Sequence, residues 1–341
     1  MECTHCGNQH SIQASHDLVH EYDYHATLRL LPQASPESIR MTVECHACGA
    51  ETHFNENIHA DECPFCGTQF VLATKEHRVI EPKSLLPFVI TDDEAKQHYK
   101  AWIKRLWFAP NKIKKYAKQD KVLHGVYVPY WTYDCDTFTQ YSGERGDIHH
   151  VQRSVRVQIN GRWTTQLQMV PEVRWSPARG RVNNHFDDTL IYASDTLPRE
   201  LSRELAPWDL SNLRPYQAEF LSGFRSEVYR TDLDAGFTIA QRRLSPFIRD
   251  TIQRDIGGDQ QRIHQTQTQY DNVKFKHCLL PFWVAGFRFR NKTYQFVVNG
   301  RTGEVQGDRP WSYLKLALTA LGALTLLVLL MSLTLESGRS L

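Results

Sequence analysis

The sequence predicts an α+β protein with three parts: an N-terminal zinc ribbon, a β-rich antiparallel central domain with a few helices, and a single C-terminal transmembrane helix. Three observations predict it. Two Cys-x-x-Cys-Gly knuckles lie close together in "VECHACGAETHFNENIHADECPFCGT". Long aromatic and β-branched runs follow, such as "VYVPYWTYDCDTFTQYSG", of the kind that favours strands. The chain then closes on "LALTALGALTLLVLLMSLTL", twenty residues without a charge.

Residues 1–75 form the zinc-ribbon region. A helix is expected over 16–31, with Ser15 as its N-cap, Val19, Tyr22, Ala26 and Leu30 as its apolar stripe and Pro32 at its end. The ribbon itself is placed at 43–70. Residues 76–90 read as a linker ending in a short extended piece. Thr91 and Glu94 have the spacing of a capping box, so "TDDEAKQHYKAWIKRLWFAP" opens a helix. Strands begin at Leu123, and Asn160-Gly161 sits at the turn of a hairpin in "VRVQINGRWTTQLQMV".

Leu233, Phe237, Ala240, Leu244, Ile248, Ile252 and Ile256 fall on one face of a helix that Pro246 kinks or restarts and Gly257-Gly258 stops. A three-strand meander with turns at Asn291-Lys292 and Asn299-Gly300 follows. The stretches 125–146 and 278–296 resemble each other, each with a proline near its start and a tryptophan after it. They read as equivalent edge strands, because proline cannot donate to a ladder. Residues 76–310 are thus one α+β domain dominated by antiparallel strands.

The apolar segment, placed at 314–335, is long enough for a hydrocarbon core of about 30 Å. Arg301, Arg309 and Lys315 precede it and only Arg339 follows. That bias keeps the bulk of the chain in the cytosol and leaves residues 336–341 as a short tail beyond a bacterial inner membrane. The first thirty residues are polar and offer no signal peptide.

A chain of 341 residues with a net charge of +2 carries no global signal for nucleic acid. Six of its eight cysteines form Cys-x-x-Cys pairs, a metal-site pattern rather than a disulfide framework. Cys45, Cys48, Cys63 and Cys66 offer four thiolates at the spacing of a tetrahedral zinc shell. Such a shell leaves no open position, so its Zn2+ is structural. Cys3 and Cys6 repeat the motif without a second pair. They are a candidate second zinc site that recruits two of His5, His10, His16, His20 and His25, bridges to another subunit, or remains from a lost ribbon.

The run 100–121 carries eight basic residues against one acid, interleaved with aromatics. Lys104, Arg105, Lys112, Lys114, Lys115 and Lys118 are its candidate contacts to an anionic surface or to nucleic acid. A solvated amphipathic helix gives the same pattern. Acids gather at Asp187-Asp188, Asp209, Asp255 and Asp259; a catalytic carboxylate pair or a metal site could be made from them, but caps and turns explain them better. No Gly-Lys dipeptide occurs, so no phosphate-binding Walker A loop exists. Neither a Ser/His/Asp order nor an HExxH motif is visible.

Several stretches resemble an uncharacterised bacterial zinc-ribbon family: "CHACGAETHF", "YVPYWTYDCDT", "RWSPARGRVNNHFDDTLIYAS", "YQAEFLSGFRSEVY", "DIGGDQQRI" and "FKHCLLPFWVAGFRFRNKTYQFVVNGRTGEVQGDRPWS". The likeness spans most of residues 45–313. Members of that family are often catalogued as primosomal protein N-prime (replication factor Y) or as superfamily II helicase-like. Related zinc-ribbon membrane proteins appear beside band-7 type membrane-scaffold proteins, which implies a role at a membrane. The expected function is a non-enzymatic, membrane-anchored adaptor or scaffold for a cytosolic or membrane protein partner. The alternatives are a nucleic-acid-binding protein tethered to the membrane, and an enzyme using the Asp187/Asp188 region.

Overall fold

A computed structural model describes residues 19–31, 39–53, 60–66, 68–71, 74–78, 80–110, 123–159, 161–198, 205, 207–289, 292–308 and 312–337. In chain order the elements are β1 (Tyr22–Asp23), α1 (Tyr24–Leu30), β2 (Ile39–Glu44), β3 (Glu51–His53), β4 (Ala60–Glu62), β5 (Gln69–Val71), β6 (Thr74–Arg78) and β7 (Ser84–Leu85). Then come α2 (Asp92–Arg105), β8 (His124–Ile159), β9 (Arg162–Tyr192), β10 (Arg214–Pro215), β11 (Arg225–Ser226), α3 (Leu233–Ile256), β12 (Gln260–Phe289), β13 (Lys292–Asn299), β14 (Val305–Gly307) and α4 (Tyr313–Ser337). The described chain is mostly β-sheet with few helices, a correction to the expected α+β class with a membrane-spanning helix.

Nine described strands share one sheet. β10, β7, β12, β13 and β14 lie side by side, and β8 joins β12 to β9. Two smaller sheets, β3-β2-β6 and β4-β5, surround the knuckles. Residues 76–78, expected to open a linker, therefore belong to a strand paired with β2.

β8 and β9 form one hairpin of 36- and 31-residue strands. It closes at Ile159 opposite Arg162, and Gly161 takes the φ of +76° that the predicted turn demands. β12 pairs with β8 only as far as Gln260 opposite Gly146. Residues 147–174 thus continue as a two-stranded arm of about 40 Å at the usual rise per residue. On its other side β9 pairs with no described strand.

The two similar stretches are not edges. Pro129 faces Leu279 and Pro281 faces Tyr127 in the central β8·β12 ladder. Each proline carbonyl instead leaves the pair, accepting from Ala193 N–H and Gly300 N–H respectively. Proline fits here because its nitrogen shares that outward direction and owes the β8·β12 ladder no donor.

The helix expected over 16–31 begins later. The Asp23 side chain accepts from Ala26 N–H at 2.6 Å and caps α1, while Tyr22 and Asp23 are held in the sheet against Phe275 and Lys274. Ser15 lies outside the described residues. α2 starts at the predicted capping box, with Glu94 Oε2 accepting from Thr91 N–H at 2.9 Å. α3 is one unbroken helix with Pro246 inside it. All seven residues of its predicted stripe are buried, against β8, β9 and β12.

A helix forms where the membrane anchor was expected, yet among the described residues no helix is long and apolar enough to cross a membrane. α4 runs over Tyr313–Ser337. It contains Thr319 and Thr325, whose hydroxyls bond back to helix carbonyls. The single-pass anchor, the inner-membrane placement and the far-side tail are not supported. At its start α4 docks on the chain: Lys315 Nζ donates to Ala109 O at 2.7 Å.

Candidate functional site

The knuckles build the first site. Gly49 adopts φ +75°, letting its N–H donate to Cys45 O at 2.7 Å and closing the first turn. Cys63 N–H donates to Thr68 O in the second. These turns bring Sγ of Cys45 to 3.6 Å from that of Cys66, and Sγ of Cys48 to 3.6 Å from that of Cys63. All four sulfurs lie within 4.8 Å of one another. A tetrahedron with metal–sulfur bonds of about 2.3 Å has edges of about 3.8 Å, so the set fits a metal ion.

Hydrogen bonds from Cys48 and Cys63 hold the Cys66 thiol far below its ordinary range, and the bond to Cys48 heads the causes that push Cys63 far above it. A bound cation would replace the shared protons.

This site is part of the main core. Cys45, Cys63, Cys66 and Phe65 share one buried cluster with Val126, Val128 and Tyr130 of β8 and Phe282 and Val284 of β12. A Cβ placed on Gly286 would stand 2.2 Å from Phe65 O, so β12 passes directly under the second knuckle. Arg230 donates to Gly49 O at 3.1 Å and Val228 N–H to Glu51 O at 3.1 Å, tying the first knuckle down. Beside these contacts Glu227 is fully buried. Ser194 Oγ donates to its Oε1 at 2.5 Å and Thr196 Oγ1 donates to the same atom. Burial raises its carboxyl to about 7.

A second, charged constellation lies where three strands break register. The β8·β9 ladder shifts between Tyr133 and Cys135, and the β8·β12 ladder between Asp271 and Lys274. Asp188 and Asn272 both take positive φ there, 48° and 51°. The result gathers acids around one ammonium: Lys276 Nζ lies 2.7 Å from Asp188 Oδ1, 3.2 Å from Glu21 Oε1 and 3.6 Å from Asp134 Oδ2.

Asp188 N–H donates to Asp134 Oδ1 at 2.5 Å. Oxygens of Glu21, Asp134 and Asp187 also lie within 4.8 Å of one another. Burial lifts Asp134 to about 6. Burial alone would lower Lys276, but its bond to Asp188 and the charge of Asp134 hold it above the usual lysine range.

Of the predicted acids, Asp187 and Asp188 join this constellation and the others do not. Asp259 accepts from Ile148 N–H at 2.7 Å, the backbone use expected of it. Asp209 is not spent on a cap. Its carboxylate is gripped by the Arg301 guanidinium, with Nε at 3.0 Å. Asp255 accepts from Tyr141 Oη at 2.5 Å. Glu21, Asp134, Lys276 and Glu227 were missed in the sequence. The available signal was a charge set inside an apolar strand run, as in "YWTYDC" and "FKHCLL".

Lys104 and Arg105 are exposed in the last turn of α2. Trp102 faces inward, 5.3 Å from the Phe296 ring, whereas Trp107 just past the helix is 80% exposed. Lys112, Lys114, Lys115 and Lys118, like Cys3 and Cys6, lie outside the described residues.

No family profile matches the chain and no solved structure matches it, so a primosomal or helicase family is not shown. The chain is similar to the uncharacterized protein YdjG of Bacillus subtilis (strain 168), 25% identical over 248 residues that make up 72% of this chain and 69% of that protein.

Proposed function

We propose that this protein is a non-enzymatic adaptor or scaffold. In it the four-cysteine clasp holds a structural Zn2+ and the β8–β9 arm docks a protein partner. One observation carries the reading: beyond Gly146 the arm has no covering layer among the described residues, yet it presents Trp163, Leu167 and Met169 at 63%, 70% and 58% exposure. Large apolar side chains in a row on an uncovered ribbon mark an interaction surface. The clasp supports the reading by bracing the start of the β8–β9 hairpin at Val126, Val128 and Tyr130, and four thiolates leave a metal no open position for catalysis. A photoreactive residue at position 167 should form one discrete protein adduct in cells, and the same residue at exposed Arg249 on α3 should not. Equal, diffuse labelling at both positions would overturn the reading.

The charged constellation favours a second reading, an enzyme or ion-binding protein that uses Asp187 and Asp188 with Asp134, Glu21 and Lys276. Divalent-cation titration of the purified chain tests it. Saturable binding lost in Asp187→Asn would raise this reading, and silence at millimolar cation would remove it. Nucleic-acid binding keeps only Lys104 and Arg105 as described contacts, and salt-dependent DNA binding remains its test.

A further inference from the structure

We infer that the occupant of the arm is a second copy of this chain, paired antiparallel along the free edge of β9 about a twofold axis at Leu167. This inference rests on the adaptor reading and names its partner.

The direction of the backbone groups comes first. Gly146 O accepts from Asp259 N–H, and Ile148 N–H donates to Asp259 Oδ2. The even residues of β8 near the arm therefore point their backbone groups toward β12 and away from β9. Ladder partners here are Ile148–Val173, His150–Pro171, Gln152–Met169, Ser154–Leu167 and Gln158–Trp163. In an antiparallel pair, opposed residues face toward each other or away together. The odd residues of β9 thus aim their N–H and C=O groups at open solvent.

The edge is guarded unevenly. Pro171 and Pro177 sit at these outward positions and remove their donors, a common defence against edge pairing. From Trp163 to Met169 nothing defends it: Trp163, Thr165, Leu167 and Met169 keep both backbone groups, with no proline or lysine among 162–170. A two-stranded ribbon is also marginal alone in water, and added strands stabilise it.

The open segment is complementary to itself. In an antiparallel pairing centred on Leu167, opposed residue numbers sum to 334. Leu167 then meets Leu167 of the second copy, Thr165 meets Met169 and Trp163 meets Pro171, all on one face. Leu167 and the Thr165–Met169 pairs exchange two backbone hydrogen bonds each. At the ends the Pro171 carbonyl accepts from Trp163 N–H, and its missing donor stops the ladder there.

On the other face Arg162 lies opposite Glu172, whose carboxylate also meets Arg153 of its own chain at 2.9 Å, in one of the closer, non-hydrogen-bonded positions. An opposite-charge pair there stabilises the register, and like charges oppose it. One twofold operation satisfies every position and closes the assembly at two copies.

The test uses the full-length chain and sedimentation of the purified protein. Wild type should sediment as a dimer. Leu167→Pro removes only outward donors, as Pro171 already does, so it should give monomer with unchanged circular dichroism. Arg162→Glu and Glu172→Arg should each weaken association at least tenfold. The double swap, or a mixture of the two single variants, should restore it.

A dimer insensitive to Leu167→Pro, or a charge swap without rescue, would overturn the inference. Monomeric wild type with a different protein adduct at position 167 would overturn it and leave the adaptor reading standing. Monomer with no adduct would remove both.

Discussion

The root and the tip of the β8–β9 hairpin belong to one ladder, which shifts register between Tyr133 and Cys135, and they differ in what covers them. At the root, Trp131 and Tyr133 are fully buried, with Trp131 Nε1 donating to Thr231 O at 2.9 Å and Tyr133 Oη to Leu233 O at 2.7 Å. α3 covers one side of the root, and the knuckles pack on β8 and β12. At the tip the same alternation of side chains continues with no second layer among the described residues. Strand pairing sets the length of a ribbon, whereas stability comes from what covers it, because backbone hydrogen bonds contribute little net energy beside apolar burial.

The largest expected break in this comparison is removal of the clasp. Structural zinc in small modules supplies about 10 kcal/mol or more of apparent folding energy. Chelation, or Cys63→Ser, should therefore lower the melting temperature sharply and loosen the root. A melting curve unchanged by chelation would show that the clasp does not brace it.

Next, Trp131→Ala should cost about 3–5 kcal/mol in denaturant unfolding. A loss below 1 kcal/mol would deny that the root is a packed core.

Third comes Glu227. Its folded carboxyl at about 7 lies above the ordinary 4.5, so the folded state holds the proton more tightly. The stability this confers is complete below pH 4.5 and is lost as pH rises through 7, about 3 kcal/mol in all. Glu227→Gln should flatten that slope in unfolding measured between pH 4.5 and 8, and an unchanged slope would place the titration elsewhere.

The smallest effect sharpens the contrast. Leu167→Ala should shift unfolding by no more than about 0.5 kcal/mol at high dilution, as exposed sites do. A core-sized loss would mean that the tip is covered.

Local signals in the sequence located the elements well. The Thr91–Glu94 box, the α3 stripe, the positive φ of Gly161 and the knuckle spacing each depend on neighbours within one turn or one repeat, and each appears in the structure. Long-range pairing was not readable. Pro129 and Pro281 suggested edges because proline lacks a donor, but the ladder passes them on the side that needs none.

The charged constellation was half legible. Asp187 and Asp188 stand out as a doublet, while Glu21, Asp134 and Lys276 reach them only through bulges that bring three distant strands into one place. α4 shows the limit of composition: an apolar run predicted a helix and a membrane span, and the helix is present while among the described residues no helix is long and apolar enough to cross a membrane.

The pairing of β1 with β12 sets a timetable for synthesis. Lys274 reaches back 253 positions to Glu21. At about 5–20 residues per second, the N-terminal strand leaves the ribosome roughly 10–50 s before its partner exists. During that interval the knuckles can close, since both pairs are made within the first 66 residues. The central sheet cannot, because β12 is its shared strand. The order of synthesis therefore lets the clasp close before the central sheet can.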